Sequence, residues 1–542
     1  MQMNYKELVE NFSWENVYSF FNWSPGEPIN MANMVCDRWA DDPNRIAIHW
    51  EDREGATQTW TYKQLKDKSN QMAHVLKSLG IKKGDRVAGL LGKDMELIIG
   101  VLATWKIGAV YVPLFTAFAR DAIMHRVNEA GISLLLTNQE QASKLDDESA
   151  TFQTLLTDGL TSSGETFWEF VDSFPADFIL EPTGEKDPSV IQFTSGTTGL
   201  PKGAASGHKS IVTLYPYMKY ALDIEEDDIF FGGADMGWSY GLMACVFAPL
   251  SLGVSIVVYK GPFEVEKVYE LLEKYKVTNF TYAPTAYRMM MAAGSDLLKK
   301  YDLKVKKFSS AGEPLNGEVV RFFEKNFGRA IYDHYGATEA GMIVNNYNCT
   351  DMKIKPGSMG LPIPSYKIGL IDSEGNEVKQ GETGQIAIDM SDGAFDFMGY
   401  WNKPEKTSEK KLGKWFLTGD LARQDEEGYF WFQGRADDVI MSAGYRIGPT
   451  EVEDCLMEHP AVMETAVIGK PDETKGEIVK AFVVLNHSFE PSKELSQELS
   501  EFVKKKLSKH QYPREVEFIE SLPKTQSGKI QRYLLRKNRV KH

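Results

Sequence analysis

Helical and strand-like patterns alternate along the first 350 residues, and this alternation restricts the possible folds more than any other feature. From Thr61 apolar residues recur on one helical face, with Thr61 and Gln64 spaced for a capping box and Gly80 placed to end the helix. Short apolar runs at 87–91 and 109–114 read as strands. Because such alternation is typical of strands joined by crossover helices, we predict an α/β fold with largely parallel sheets.

The pattern changes after about Pro356, where short alternating runs are separated by turns. This stretch predicts a β-rich subdomain. Beyond Gly434 a helix from about Thr450, a strand near 481–485 and a second amphipathic helix follow. We therefore predict a large domain at 1–433, made of layered α/β subdomains with the β-rich one, and a small α+β domain at 434–542.

Charge and cysteine content exclude several functional classes. The chain has 61 basic and 76 acidic residues, a formal net charge of −15, which disfavours nucleic acid and anionic membrane surfaces as partners. Four dispersed cysteines are too few for a disulfide framework or a CxxC metal site, so we expect a reducing, cytoplasmic setting. No long uncharged apolar run and no signal-peptide pattern occur, so we expect no integral membrane segment.

One glycine- and hydroxyl-rich run follows the apolar pair Val190 and Ile191. Glycines allow close backbone approach, hydroxyls donate hydrogen bonds and a lysine adds charge, so the run suits the phosphates of a nucleotide. It is not a Walker A loop, which needs adjacent Gly-Lys followed by Ser or Thr. A flexible surface loop is the alternative. The run comprises Thr194, Ser195, Gly196, Thr197, Thr198, Gly199, Leu200, Pro201 and Lys202.

Five further segments follow this run in chain order, at 310–314, 335–339, 415–420, 434–438 and 523–529. With these segments in this order, the chain resembles an adenylate-forming enzyme of the acyl-CoA synthetase type over about 60–532. The resemblance implies ATP, Mg²⁺ and coenzyme A as cofactors and a small-molecule carboxylic acid as substrate. It also implies two half-reactions, in which the acid attacks ATP to give acyl-AMP and a thiol then displaces AMP.

The resemblance assigns the nucleotide site residue by residue. Asp420, interpreted as ending an apolar run at a turn, and Arg435 would hold the ribose, since a carboxylate accepts from both hydroxyls and a guanidinium offers a planar fork. Glu339 would hold Mg²⁺, which prefers one or two carboxylates plus substrate phosphates. The other residues assigned to the nucleotide are Gly312, Glu313, Pro314, Asp333, His334, Tyr335, Gly336, Ala337, Thr338 and Arg446.

Lys529 and Asp437 have roles that the resemblance alone supplies. Lys529 would align the carboxylate with the α-phosphate and offset developing negative charge, with Thr194 and Glu339 as further catalytic residues. Asp437 would be the hinge of a mobile C-terminal lid, which excludes water in one half-reaction and admits the thiol in the other.

Coenzyme A contacts are expected in the small domain. The basic end from Arg532 to Lys541 is interpreted as a solvated helix rather than a nucleic-acid patch. The residues assigned to coenzyme A are Ser442, Gly444, Tyr445, Lys475 and Arg514.

The identity of the acid depends on the loop at Gly336. Acetate-specific relatives typically carry tryptophan there, whereas this chain has Gly336 and then Ala337, so we expect an acid longer than acetate. Trp238 is a candidate pocket wall. The small domain resembles medium-chain acyl-CoA synthetases, but straight, branched and aromatic acids stay open, as does acetate.

Two other functions are also compatible with the motifs. One is an adenylate-forming enzyme with a different acceptor, and the other is a non-catalytic adenylate-binding protein. The sequence leaves open whether the protein is a monomer or a homodimer.

Overall fold

The structure is a computed structural model that forms two compact units. The first takes in the described parts of Met1–Thr194, Pro201–Lys367 and Met390–Glu409, and the second those of Ile368–Asp389 and Lys410–His542. No helix among the described residues is long and apolar enough to cross a membrane. The described residues are 3–145, 151–161, 164–194, 201–391, 393–395, 397–436, 438, 440–442, 445–472 (backbone alone at 445 and 446), 475–507, 510–524 and 530–537.

The helices are numbered in chain order over the described residues. They are α1 (Tyr5–Asn11), α2 (Trp14–Phe21), α3 (Met31–Val35), α4 (Tyr62–Ser78), α5 (Met95–Lys106), α6 (Arg120–Ala130), α7 (Gln139–Ala142), α8 (Phe167–Asp172), α9 (Ser210–Thr213), α10 (Ala248–Ser251), α11 (Val265–Lys274), α12 (Pro284–Ala292), α13 (Ser295–Leu298), α14 (Gly317–Phe327), α15 (Pro404–Ser408), α16 (Pro449–Met457), α17 (Lys493–Lys506) and α18 (Arg532–Lys537). Short 3₁₀ segments span Asp37–Trp39 and Ser143–Leu145, and π-helical segments span Tyr217–Ala221 and Tyr240–Phe247.

The strands are numbered in the same way. They are β1 (Ile46–Asp52), β2 (Thr57–Thr61), β3 (Arg86–Leu90), β4 (Val110–Pro113), β5 (Leu134–Thr137), β6 (Gln153–Leu156), β7 (Pro188–Thr194), β8 (Lys202–Gly207), β9 (Ile229–Gly232), β10 (Ser255–Lys260), β11 (Asn279–Tyr282), β12 (Lys307–Ala311), β13 (Ile331–Ala337), β14 (Gly341–Asn345), β15 (Leu361–Pro362), β16 (Ile368–Ile371), β17 (Thr383–Asp389), β18 (Gly399–Tyr400), β19 (Lys411–Leu412), β20 (Trp415–Gln424), β21 (Phe430–Arg435), β22 (Ile440–Ser442), β23 (Tyr445–Ile447), β24 (Val462–Asp472), β25 (Gly476–Leu485) and β26 (Glu515–Phe518).

Two large sheets build the first unit. One has nine strands in the order β15-β14-β13-β12-β11-β9-β10-β1-β2, and its six central strands, from β13 to β1, are parallel. The other has seven strands in the order β18-β8-β7-β4-β3-β5-β6 and is parallel from β7 to β6. These sheets confirm the predicted α/β architecture.

Helices cover the sheets of the first unit with apolar faces. In the nine-stranded sheet, Phe280 and Phe308 are fully buried in one cluster with Leu271 of α11, Tyr287 of α12 and Phe323 of α14. The predicted capping box of α4 is confirmed, since the Thr61 side chain accepts from the Gln64 backbone and the Gln64 side chain accepts from the Thr61 backbone.

The second unit is richer in antiparallel strands. One sheet has the order β16-β17-β20-β19 with β21 paired to β20, and these pairs are all antiparallel. The other has the order β23-β22-β25-β24 with β26 parallel to β25. The first of these sheets is the predicted β-rich subdomain, and the predicted boundary at 434 stays a prediction.

Side chains of β24 alternate between two apolar clusters, as strand geometry requires. Val467 faces a cluster that includes Leu456 of α16 and Leu499 of α17. Ala466 and Ile468 face a smaller cluster with Leu522 and Leu535. The second sheet of this unit is therefore covered on both faces, and α18 is attached through Leu535.

Candidate functional site

Two buried polar side chains, each with one oxygen atom that lacks a partner among the described residues, lie side by side near the carboxyl end of the parallel pairing of β12 and β13. Ser310 and Asp333 are opposite each other in the parallel pair and are buried. The Ser310 Oγ and the Asp333 Oδ1 have no hydrogen-bond partner among the described residues. Since ligands of open α/β sheets bind beyond the carboxyl ends of the strands, and buried polar atoms are normally hydrogen-bonded, this edge is suited to a polar ligand.

Burial raises the pKa of Asp333 well above its ordinary value, although backbone N–H groups of His334 and Leu315 oppose the shift. A protonated carboxyl both donates and accepts a hydrogen bond. In its protonated form, Asp333 would match a neighbouring donor and acceptor, as a nucleobase edge presents them. This property fits the predicted role of Asp333 in nucleotide binding.

His334 lies in a buried chain of neutral polar groups behind the same edge. Its Nε2 lies 3.0 Å from the carbonyl oxygen of Asn346, so Nε2 carries the proton and Nδ1 accepts from the Tyr217 hydroxyl at 3.0 Å. Tyr217 in turn lies 2.9 Å from the Tyr240 hydroxyl. Burial lowers the pKa of His334 to about 3. His334 therefore anchors β13 through hydrogen bonds inside the first unit.

The loop after β12 contains Gly312, Glu313 and Pro314. Gly312 has a φ of +99°, a conformation that residues with a Cβ rarely adopt. Glu313 accepts at 2.9 Å from Arg288 and, also at 2.9 Å, from Thr285. The Glu313 carboxylate is therefore bonded within the first unit.

The loop after β13 contains Thr338 and Glu339, and a residue absent from the motif analysis reaches it. The Tyr400 hydroxyl donates to Glu339 Oε1 at 2.6 Å. The ring of Tyr400 faces the ammonium of Lys202, whose Nζ lies 4.8 Å from the ring centroid. Tyr400 was missed because no local pattern links it to partners so far along the chain.

The two strands that flank the predicted phosphate loop, β7 and β8, are paired in the first unit. Thr194 of β7 pairs with Lys202 of β8, and the Thr194 hydroxyl lies 3.4 Å from the Lys202 carbonyl. Residues 195–200, between them, lie outside the described residues. The pair places Thr194 and Lys202 at the two ends of the predicted phosphate loop.

The space beside Gly336 is not empty. A Cβ built on Gly336 would lie 2.2 Å from the carbonyl oxygen of Gly341 and 2.7 Å from Met342 Sδ. Met342 therefore takes up space beside this position, and a larger residue at 336 would need β14 to shift. Trp238, the other predicted pocket residue, packs against Phe115 and Phe118 with ring centroids 5.4 and 5.8 Å away.

In the second unit Asp420 and Arg435 are paired across two strands. Arg435 Nη1 donates to Asp420 Oδ1 at 3.1 Å, and the two residues are register partners of β20 and β21. The prediction that Asp420 ends a run at a turn is wrong, because β20 continues through it to Gln424. The pairing itself gives the carboxylate and guanidinium the adjacency that a ribose clamp needs.

The C-terminal basic segment is not a plain solvated helix over its described part. Arg532 Nη2 donates to Glu453 Oε2 at 2.6 Å, and Arg536 Nη2 donates to Asp438 Oδ1 at 2.6 Å. Arg532 Nη1 also lies 3.6 Å from Asp438 Oδ2. The side chains of Glu453 and Asp438 are 11% and 5% exposed. The interpretation of Arg532 as solvated is therefore wrong, because its helix places it against two buried carboxylates.

Residues predicted to contact coenzyme A are spread over the second unit. Ser442 is a buried residue of β22, Lys475 lies in the turn before β25, and the Arg514 guanidinium stacks at 4.1 Å on the Tyr512 ring. Tyr445 and Arg446 lie on β23. Gly444, Asp437 and Lys529 lie outside the described residues, so their predicted roles stay predictions.

The donor groups fit a magnesium ion that is bound together with a nucleotide. Over the described part of the chain, no group of three or more His, Cys, Asp and Glu side chains could hold a metal ion by itself. Glu339 supplies one carboxylate, and Mg²⁺ commonly combines one or two carboxylates with substrate phosphates and water. The site suits a metal that arrives with its substrate.

Comparison with known proteins gives the family. The model described as "AMP-binding enzyme" matches residues 36–401, and the model "AMP-binding enzyme C-terminal domain" matches residues 451–529. The chain belongs to this family of AMP-binding enzymes and has the large and small domain regions of an acyl-CoA synthetase.

Similar proteins span nearly the whole chain. "Acetyl-coenzyme A synthetase" of Bacillus subtilis (strain 168) is 39% identical over 544 residues, covering 98% of this chain and 94% of that protein. "Acyl-coenzyme A synthetase ACSM3, mitochondrial" of Rattus norvegicus is 35% identical, covering 98% and 94%. The crystal structure of a Brucella canis acyl-CoA synthetase is 39% identical with a TM-score of 0.78, and 99% of each chain is covered.

Proposed function

We propose that the protein activates a carboxylic acid longer than acetate, of medium-chain length, with Mg²⁺ and ATP and transfers the acyl group from acyl-AMP to coenzyme A. The observation that supports this most directly is the neighbouring pair of buried atoms, Ser310 Oγ and Asp333 Oδ1, which have no hydrogen-bond partner among the described residues. Ser310 and Asp333 lie two residues before Gly312 and Tyr335, which belong to segments that resemble nucleotide-binding loops.

Each group has a separate task in the proposed reaction. Asp420 accepts hydrogen bonds from the ribose hydroxyls and Arg435 orients that carboxylate. Lys202 and Thr194 bind phosphate oxygens, and Glu339 holds the metal, which offsets phosphate charge. Lys529 aligns the attacking carboxylate with the α-phosphate.

The proposed acid preference follows from Gly336 and from Met342, which lies beside it. A flexible methionine thioether, rather than a rigid indole, borders this position. Each buried methylene of an acyl chain contributes about 0.8 kcal/mol. A wall that adapts to longer chains therefore favours them over acetate.

The proposal has two further parts. The C-terminal region, from 434, would move as a lid about Asp437, with Ser442, Gly444, Tyr445, Lys475 and Arg514 contacting coenzyme A. A cytoplasmic location is proposed from the reducing setting that four unpaired cysteines indicate.

AMP release with straight-chain acids of two to twelve carbons, with and without coenzyme A, tests the function. We expect acyl-CoA and AMP to form together and longer acids to outperform acetate. AMP release that needs no coenzyme A would indicate another acceptor. Nucleotide binding without turnover of any acid would indicate a non-catalytic adenylate-binding protein.

Lys529→Ala tests the catalytic assignment. We expect ATP–pyrophosphate exchange to fall at least about a hundredfold, the effect of losing one preorganised donor. Acyl-CoA formation from added acyl-AMP should change little. Lys504→Ala is the control, because Lys504 forms an ion pair with the exposed Glu501 on the same helix, one turn away. Unchanged exchange in Lys529→Ala would refute the assignment.

A further inference from the structure

Backbone hydrogen bonds fix the position of Tyr400 independently of its side-chain contacts. Its strand β18 pairs with β8, where Tyr400 is the partner of Ala204. The Tyr400 backbone N–H donates to the Thr407 hydroxyl at 2.8 Å, and the next residue, Trp401, donates to the Gly203 carbonyl at 2.7 Å. Tyr400 is thus attached to the strand that begins at Lys202.

Besides an edge-to-face contact with the Phe397 ring at 5.4 Å, the side chain of Tyr400 contacts two charged groups. Its hydroxyl donates to the Glu339 carboxylate at 2.6 Å, and its ring lies 4.8 Å from the Lys202 ammonium. The first contact orients an anionic group and the second a cationic group, since an ammonium is attracted to a ring face. One side chain thereby fixes both charged groups that the proposed function assigns to the metal and the phosphates.

We infer that Tyr400 is a positioning residue that couples the magnesium carboxylate Glu339 to the phosphate lysine Lys202. A hydrogen bond from Tyr400 leaves the second oxygen of the carboxylate to face a metal and restricts its rotation. Loss of such an outer partner typically weakens metal binding about 10- to 100-fold. The inference rests on the proposed roles of Glu339 and Lys202.

Two substitutions separate the contacts of Tyr400. Tyr400→Phe removes the hydroxyl and keeps the ring beside Lys202, whereas Tyr400→Leu removes both. The measurement is the calorimetric dissociation constant of α,β-methylene-ATP, which is not turned over, with Mg²⁺ and with EDTA. This readout needs no catalytic activity.

We expect Tyr400→Phe to weaken binding in Mg²⁺ about tenfold and binding in EDTA less than twofold. Tyr400→Leu should in addition weaken binding in EDTA several-fold, because Lys202 then loses its ring partner. Tyr269→Phe is the matched control, since the Tyr269 hydroxyl is buried without a partner among the described residues. It should change neither constant.

Other outcomes would overturn the inference. In Tyr400→Phe, equal weakening with and without Mg²⁺, two unchanged constants or tighter binding in Mg²⁺ would each refute the coupling. Glu339→Gln and Lys202→Ala report on the proposed function instead. If neither weakens nucleotide binding, the assigned site itself is wrong.

Discussion

The two units stabilise buried ionisable side chains by different physical means. In the first unit, burial favours the uncharged forms: it lowers the pKa of His334 to about 3 and raises that of Asp333. In the second unit, Asp438 and Glu453 are paired with arginines on α18. A buried neutral group loses its contribution to stability when a change of pH ionises it in the unfolded chain. A buried ion pair destabilises the fold when one partner is removed, because the other charge is left unpaired.

Arg532→Ala should have the largest effect, because it removes a partner from two buried carboxylates. We expect the second unit to lose about 3 kcal/mol of stability, the scale of breaking a buried ion pair. Hydrogen exchange of the amides in α16 and α18 measures it. Lys506→Ala is the control, since its pair with Glu458 is 47% and 60% exposed and contributes little. Equal effects of the two substitutions would contradict the comparison.

Asp420→Ala tests whether the paired carboxylate of the second unit serves a ligand. We expect the KM for ATP to rise about 10- to 100-fold, since hydrogen bonds to a charged group contribute about 1.5–3 kcal/mol. With 2′-deoxy-ATP the penalty should shrink, because one ribose hydroxyl is already missing. The same penalty with both nucleotides would assign Asp420 to structure alone.

His334→Gln tests the neutral network of the first unit. His334 has a folded-state pKa of about 3, below its ordinary 6.5. Between these values the unfolded chain binds more protons, so the stability from His334 is complete above about pH 6.5 and declines as pH falls toward 3.

We expect the stability gap between wild type and His334→Gln to narrow by about 2 kcal/mol from pH 7 to pH 5. Urea unfolding of both proteins at several pH values measures the gap. A gap that stays constant over this range would contradict the assignment of a neutral buried imidazole.

Met342→Ala should have the smallest effect and act on the acid alone. We expect kcat/KM to shift toward acids one or two methylenes longer, about fourfold per methylene, the equivalent of 0.8 kcal/mol. Assays with a series of straight acids measure the shift. A uniform loss for all acids would place Met342 outside the acyl pocket.

The sequence predicts local structure well and distant contacts poorly. The capping box at Thr61 and Gln64 is confirmed because both partners lie in one helical turn. Asp420 was expected at a turn that ends an apolar run, but β20 continues through it to Gln424 and accommodates Gly419 at a φ of +88°.

Side-chain partnerships across the fold could not be predicted. The partner of Tyr400 lies 61 residues away, and that of Arg532 lies 79 residues away. Tyrosine in a two-residue strand and arginine on a basic helix carry no periodic signal. The motif residues were recognisable, whereas the residues that orient them depend on tertiary packing.

The two-residue strand β18 also sets an order for the maturation of the protein during synthesis. Lys202 and Glu339 leave the ribosome long before Gly399 and Tyr400, which complete the edge of the seven-stranded sheet. A nascent chain that ends before residue 399 therefore lacks the tyrosine that joins the two charges. The site can be finished only late in translation.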